Sequence, residues 1–276
     1  MDFFKFKGKN AIVTGAASGI GRELCIQLAK AGCNISAADI NEEQLRETEK
    51  AVLSTGKSIN CYKVDVSDRK QVFEFAEKTA YFNNSIDIVA NNAGVAMSDV
   101  PVEDIDFKDF EWIMNINLWG IINIAKAFIG ELKKSSDSYL VNTSSIYGIF
   151  AMQNAAAYTT SKFAVRGFSE AMIQELHGTN VNVMTVYPGG IKTNIAKNSR
   201  WLGDINDIHE QKRQLDRFEN SAKTEPEEAA KQILQAMQKR KKRLLIGKDA
   251  RFMDLYTRIN PSGYDRFVRE HILNKK

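Results

Sequence analysis

Short apolar runs rich in β-branched residues alternate along this chain with longer segments whose apolar positions recur at helical spacing. Ala11-Ile12-Val13-Thr14 reads as a buried strand. The glycine-rich turn after it opens a helix over about 20–31, which Gly32 stops. Residues 34–39 predict a second strand ending at Asp39, and 41–55 a polar amphipathic helix. A third strand follows at 59–64, then a helix over 68–82 with Ser67 or Asp68 as its N-cap. The pattern continues with a strand at 86–90, a long helical tract over about 107–134, and a strand at 139–143. A helix over about 155–177 and a strand at 181–187 complete it. Pro226 opens another helix reaching about Lys239, and 243–246 predicts a short last strand. Phe252, Met253, Leu255, Tyr256 and Ile259 then return to helical spacing.

Strands separated by helices of this length predict an α/β fold, a doubly wound parallel sheet of about seven strands with helices on both faces. No composition shift, repeat or low-complexity linker divides the chain, so residues 1–276 read as one domain. Residues 194–224 lose the rhythm. Asn198, Gly203, Asp204 and Asn206 favour turns there, which predicts a mobile lid that carries Trp201 and Leu202 over a pocket.

Composition narrows the class. The chain has 276 residues, 43% hydrophobic and 26% charged, so it is globular and long enough to bury a core without staples. No apolar run approaches the roughly 20 residues a bilayer requires, and Met1-Asp2-Phe3-Phe4-Lys5-Phe6-Lys7 is too charged for a signal peptide. Cys25, Cys33 and Cys61 form no C-x-x-C pair, which predicts free thiols and a cytoplasmic home. A net charge of +4 is too small to imply nucleic acid, but it is unevenly spread: residues 239–276 hold twelve Lys and Arg against four acids. His177, His209 and His271 lack ligand spacing, so no metal is expected.

Candidate chemistry begins at Gly15-Ala16-Ala17-Ser18-Gly19-Ile20-Gly21, between the first strand and the first helix. A dinucleotide site needs that placement, because the helix end offers free N–H groups and a positive dipole to a pyrophosphate. Asp39, at the end of the second strand, suits the two ribose hydroxyls of NAD and repels the 2′-phosphate of NADP; capping the next helix is its plainer use. Tyr158 and Lys162 lie four apart near the start of a helix, so an ammonium stands beside a phenol and favours its ionised form. Ser145 follows the fifth strand, where its hydroxyl could meet a carbonyl oxygen. Ser144 and Ser145 equally suit loop solvation or capping.

Together these residues resemble the short-chain dehydrogenase/reductase family, in its shorter single-domain branch, across residues 8–193. The resemblance rests on the 14–21 turn, Asp65-Val66, the unbroken Asn91-Asn92-Ala93-Gly94, Asn117, the Tyr158-Thr159-Thr160-Ser161-Lys162 spacing, and Pro188-Gly189 followed by Ile191 and Thr193. It implies a Rossmann-type fold and hydride transfer between a nicotinamide and a secondary alcohol or ketone. It implies Tyr158 as general acid/base and Ser145, thirteen residues before it, as the hydroxyl that steadies the substrate oxygen. Lys162 would hold the nicotinamide ribose and lower the phenol's pKa, and Asn117 would position a water. The cofactor contacts implied are Gly15, Ser18, Gly19, Ile20, Gly21, Asp39, Asp65, Val66, Asn91, Ala93, Gly94, Tyr158, Lys162, Pro188, Gly189, Ile191 and Thr193. Loss of turnover in a cofactor-binding sensor, or lyase or epimerase chemistry, are the alternatives within the same family.

Substrate identity is less legible. Met97, Ile146, Tyr147, Phe150 and Met152 could line an apolar pocket, or pack on one another or at a subunit contact. Lys239-Arg240-Lys241-Lys242-Arg243 could meet a membrane surface, nucleic acid or an acidic substrate tail, or be a solvated helix end. Trp112, Trp119, Phe128, Phe163 and Phe168 exceed what one sheet face needs, which predicts a homodimer or homotetramer.

Overall fold

The computed structural model describes residues 6–82, 85–203 and 207–273. Residues 1–5 of the charged N-terminal run and the turn formers Asp204 and Asn206 lie outside them. Seven parallel strands form one sheet: β1 (Asn10–Thr14), β2 (Asn34–Asp39), β3 (Ile59–Lys63), β4 (Ile88–Asn91), β5 (Ser138–Thr143), β6 (Val181–Pro188) and β7 (Arg243–Ile246). Their spatial order is β3-β2-β1-β4-β5-β6-β7, so the chain winds outward to β3 and returns to place β4 against the other side of β1. That reversal is the topological switch point, and ligands of such sheets bind at the carboxyl ends of the strands beside it.

Alternation along each strand builds two cores, as a sheet covered on both faces requires. Val13, Ala37 and Val141 face one side, where α1 (Gly19–Lys30), α2 (Glu42–Leu53) and α8 (Pro226–Gln238) bury Leu24, Leu28, Leu45, Ile233 and Leu234 against them. Ile12, Val89 and Leu140 face the other side, covered by Phe75 of α3 (Arg69–Phe82), Ile124 and Phe128 of α5 (Gly120–Lys134), and α6 (Ala156–Glu175). Of the two caps expected for α3, Asp68 is used: its Oδ1 accepts the N–H groups of Lys70 at 2.9 Å and Gln71 at 3.2 Å.

Three expectations need correction. The tract 107–134 is not one plain helix: α4 (Phe107–Met114) passes into α5 through a π-helical turn, Asn115–Trp119. By length and composition, Phe107–Lys134 is also apolar enough to cross a bilayer, contrary to the expectation that no such stretch exists. Its apolar residues are used in the fold instead, with Ile113, Ile121, Ile124, Phe128 and Leu132 buried. Segment 194–224 is not all turns, because it contains α7 (Ile208–Ser221), capped by Asp207 and with no residue buried.

After β7 the chain forms α9 (Lys248–Ile259), a short helix α10 (Tyr264–Phe267) and a π-helical turn, Val268–Leu273. Met253 and Val268 bury Phe150, so this C-terminal segment closes over the loop that follows β5.

Candidate active site

The turn after β1 bends through two left-handed residues, Gly15 at φ 65° and Gly19 at φ 53°, a conformation that favours glycine. A Cβ on Gly15 would lie 2.8 Å from Ala93 Cα, and one on Gly21 would run into the Gly15 carbonyl. The turn is therefore pressed against the loop after β4, with α1 closed tightly upon it. Ser18 is the N-cap of α1, yet its side chain makes no cap hydrogen bond. The first intrahelical bond runs from Arg22 N–H to Ser18 O at 3.1 Å, which leaves the N–H groups of 19–21 directed out of the helix end.

Asp39 does not cap α2; Asn41 does, accepting Gln44 N–H at 3.0 Å. Asp39 instead accepts the N–H of Ala17 and of Asn41, each at 2.9 Å, and so ties the end of β2 to the glycine turn. Arg22 is nearby but committed, with Glu47 at 2.9 Å, Thr48 Oγ1 at 3.1 Å and Gln44 O at 3.2 Å. Asp65 Oδ1 accepts Ser67 N–H at 2.9 Å and its hydroxyl at 2.6 Å, and Val66 is buried against Gly120.

Two residues given no role by sequence reasoning hold this region together. Thr14 Oγ1 accepts the N–H groups of Asn92 at 3.0 Å and Ala93 at 3.1 Å, and Asn92 Nδ2 donates to the carbonyls of Thr14 at 3.3 Å and Gly15 at 3.4 Å. The available signal was polarity at the ends of two otherwise apolar strands. Asn91, in contrast, turns its side chain inward, donating to Ile121 O at 2.8 Å and Asn142 Oδ1 at 3.3 Å. That amide positions α5 and β5 rather than facing a ligand.

The chemical cluster forms where β5, α6 and the π-helical turn meet. Ser144 is structural, donating its hydroxyl to Lys162 O at 2.8 Å. Ser145 Oγ accepts Tyr147 N–H at 3.2 Å and lies beside the Tyr158 phenol, whose pKa it pulls down. Lys162, one turn along α6, is buried, with Nζ 3.4 Å from Thr143 O and 5.6 Å from the centre of the Tyr158 ring. The widened turn brings Asn117 to the same place, where Oδ1 accepts Val95 N–H at 2.8 Å and Nδ2 donates to Val95 O at 3.0 Å and Ser161 Oγ at 3.1 Å. A Cβ on Gly94 would lie 3.1 Å from Asn117 Oδ1 and 3.2 Å from Lys162 Nζ, so the glycine keeps the space before both groups open.

Electrostatics here differ from expectation. Burial raises the pKa of Tyr158, opposed by the Ser145 hydrogen bond, and burial lowers Lys162 to about 8.

Around the cluster, Tyr147 meets Tyr158 edge-on at 5.8 Å and Phe150 at 5.6 Å. Phe150 and Met152 also pack against the C-terminal segment, so part of the expected pocket lining is internal packing. Asp99, on the same side, is pushed up to about 6 by burial, against the pull of Arg217. The loop after β6 is fixed from below. Gly189 N–H donates to Ile246 O at 2.9 Å, Gly190 N–H to Asp249 Oδ2 at 2.7 Å, and Ile191 pairs with Thr224. The Thr193 methyl lies against Gly19, which joins this loop to the glycine turn, and Pro188 ends β6 beside them.

The segment after it is clipped to its neighbours. Arg200 forms a bridge with Met97, an ion pair with Asp109 at 2.7 Å, and lies 3.7 Å over the Trp112 ring. Leu202 N–H donates to Ser98 Oγ at 2.9 Å, and Gln214 of α7 bonds both the N–H and the C=O of Asp99. Among the described residues no cluster of His, Cys, Asp and Glu could hold a metal ion.

A parallel sheet with a dinucleotide-type turn at its switch point, facing a Ser, Tyr, Lys and Asn cluster across it, places the chain among Rossmann-type oxidoreductases. Comparison with known proteins narrows this. The short chain dehydrogenase profile matches residues 9–201. A putative oxidoreductase, SadH, of Mycobacterium tuberculosis is 35% identical over 266 residues, 95% of each chain. The chain belongs to the short-chain dehydrogenase/reductase family, and it is an oxidoreductase of that family. Among solved structures, a short chain dehydrogenase/reductase from Burkholderia phymatum in complex with NAD aligns over 95% of both chains, with TM-score 0.85 and 24% identity. An alcohol dehydrogenase from Thermococcus sibiricus complexed with 5-hydroxy-NADP aligns over 87% of this chain and 96% of its own, with TM-score 0.74 and 21% identity.

Proposed function

We propose that this chain is an NAD-preferring dehydrogenase or reductase that interconverts an apolar secondary alcohol and its ketone. The carrying observation is that Asn117 Oδ1 and Lys162 Nζ meet at the opening Gly94 leaves, with the Tyr158 ring centre 5.6 Å from Lys162 Nζ and Ser145 beside that phenol. The residues fit a nicotinamide dinucleotide. Gly15 and Gly21 let the turn close against the loop after β4 and the start of α1, the end of α1 directs N–H groups outward, and the Ser18 hydroxyl is not used as a cap. Gly15, Ser18, Gly19, Ile20 and Gly21 would hold the pyrophosphate, and Asp65 and Val66 the adenine side. Ala93, Gly94, Lys162, Pro188, Gly189, Ile191 and Thr193 would hold the nicotinamide half, with Asn91 acting from behind. Asp39 is the basis for the NAD preference, since its carboxylate would repel a 2′-phosphate and the nearby guanidinium of Arg22 is already paired with Glu47.

Bound there, the cofactor supplies or accepts the hydride. The chain does the rest. Ser145 donates to the substrate oxygen, and Tyr158 Oη gives that oxygen a proton in reduction or takes one in oxidation. Lys162 orients the cofactor ribose and, when protonated, stabilises phenolate. Asn117, locked at both amide ends to Val95, holds the α4–α5 turn rigid beside Lys162, where a relaying water would sit. Tyr147 and Phe150 form an aromatic wall that favours apolar substrates. We read residues 1–276 as one unit, because the C-terminal helices pack onto the loop after β5, and the free thiols as suited to the cytoplasm.

A panel of secondary alcohols and ketones followed at the NADH absorbance, with each cofactor, tests this reading. Turnover of apolar members with higher kcat/KM for NAD(H) is expected, and Asp39→Ala combined with Ile40→Arg should relax or reverse the preference. No turnover with any member, or a wild-type preference for NADP(H), would contradict it.

A further inference from the structure

The C-terminal segment carries a surface that hydride transfer does not use. Helix α9 turns Ala250 and Met253 into the fold and leaves Phe252, Leu255 and Ile259 at 50%, 59% and 73% exposure. At about 100° per residue, these three share one arc of the helix with Lys248, Arg251 and Arg258, all exposed. No acid lies in that arc. Asp249 is directed to Gly190 N–H, and Asp254 accepts Arg243 Nη1 at 2.7 Å and Nη2 at 2.5 Å and Arg258 Nε at 3.1 Å.

Those bonds to Asp254 tie α9 to Arg243, the residue that follows the basic turn leading into β7. Lys239, Lys241 and Lys242 are exposed there, while Arg240 reaches Asp137 at 3.0 Å, just before β5. The run therefore sits toward the amino end of β7, whereas Pro188 and Gly189 meet its carboxyl end at Ile246. An acidic substrate tail reaching the run from the cluster at Tyr158 would have to cross the length of the strand, which sets that use aside.

We propose that α9 and the 239–242 turn form a docking face for an anionic lipid bilayer surface. Exposed bulky apolar side chains interleaved with cations suit the headgroup boundary, where the apolar groups enter and the cations meet phosphates. A second copy of the chain suits the face less. A two-fold contact would bring Lys248 and Arg251 of both copies into one interface, with no acid on the arc to offset them.

Co-sedimentation of the full chain with vesicles tests this, comparing pure phosphatidylcholine with the same lipid containing about a third phosphatidylglycerol. Binding to the anionic vesicles alone is expected, with release at high salt, where the screening length falls to about 3 Å. Lys248→Gln and Arg251→Gln should each lower the partition about fivefold. Leu255→Ser with Ile259→Ser should weaken it further with an unchanged circular dichroism spectrum. The wild-type arms decide the matter on their own. Absence of binding, or equal binding to both vesicles, overturns the proposal. So does an oligomer that breaks up in the Leu255→Ser/Ile259→Ser variant while wild type ignores vesicles, since the face then belongs to a second copy.

Discussion

Lys162 illustrates how the site is built at a cost to the fold. Its ammonium is buried with one carbonyl, Thr143 O, at 3.4 Å, and burial lowers its pKa from 10.5 to about 8. A cation whose folded pKa is depressed penalises the folded state fully below that value. The penalty fades as pH rises from about 8 toward 10.5, where the unfolded chain also loses its proton. Lys162→Met should therefore stabilise the protein by up to about 3 kcal/mol at pH 7 while abolishing turnover. Urea denaturation at pH 7 and pH 10 checks this. The gain should shrink at the higher pH, and an unchanged or growing gain would mean the lysine is not penalised by burial. Ser145 and Ser144 divide in the same physical terms. One hydroxyl is committed to Lys162 O, and the other is left to the phenol.

Among elements, segment 194–224 is where sequence and structure differ most. Arg200 to Asp109 and Trp112, Leu202 to Ser98, and Gln214 to Asp99 clip it to its neighbours, and Thr224 pairs with Ile191 at its end. Helix α7 itself has no fully buried residue, only a half-buried side at Gln211, Gln214, Leu215 and Phe218. The expected behaviour is fast amide exchange along α7, slower exchange near residue 200, and protection of both when cofactor and substrate bind. Arg200→Ala should raise exchange across 194–202 and raise KM more than it lowers kcat. Exchange as slow as in the strands, unaltered by Arg200→Ala, would make the segment fixed structure. Periodicity did not show α7, because its half-buried side mixes Leu215 and Phe218 with Glu210, Gln211 and Gln214 instead of repeating apolar residues. The π-helical turn at Asn115–Trp119 escaped for a related reason: one extra residue in a turn leaves the surrounding helical spacing almost intact. Strands β1, β2 and β5 were legible because both their faces are buried, which writes continuous apolar runs into the chain. Asn117, Asp65 and the loop at Pro188 were legible only through family resemblance, since no spacing rule links residues that the sheet alone brings together.

At the scale of the whole molecule, the apolar surplus assigned to subunit contacts is smaller than the sequence suggested. Phe128 lies in the core, Trp112 lies under Arg200 and Phe168 packs on the sheet, which leaves Trp119 at 46% and Phe163 at 37% exposure. These two, on the π-helical turn and α6, are the basis for proposing a homodimer or homotetramer through that face. Light scattering should give a multiple of the chain mass that falls in Trp119→Ser, and a monomer at micromolar concentration would count against it. The fold as a whole serves one arrangement: the switch point sets the glycine turn against the loop after β4, and β5, α6 and the π-helical turn bring the Tyr158 phenol, the proposed proton carrier, to the same edge. The most direct test of that account is Tyr158→Phe, measured for turnover and for NADH binding by fluorescence. The account predicts a kcat lowered by at least ~10²-fold, as for loss of a general acid/base, with cofactor affinity nearly unchanged. Wild-type turnover in this variant would contradict it.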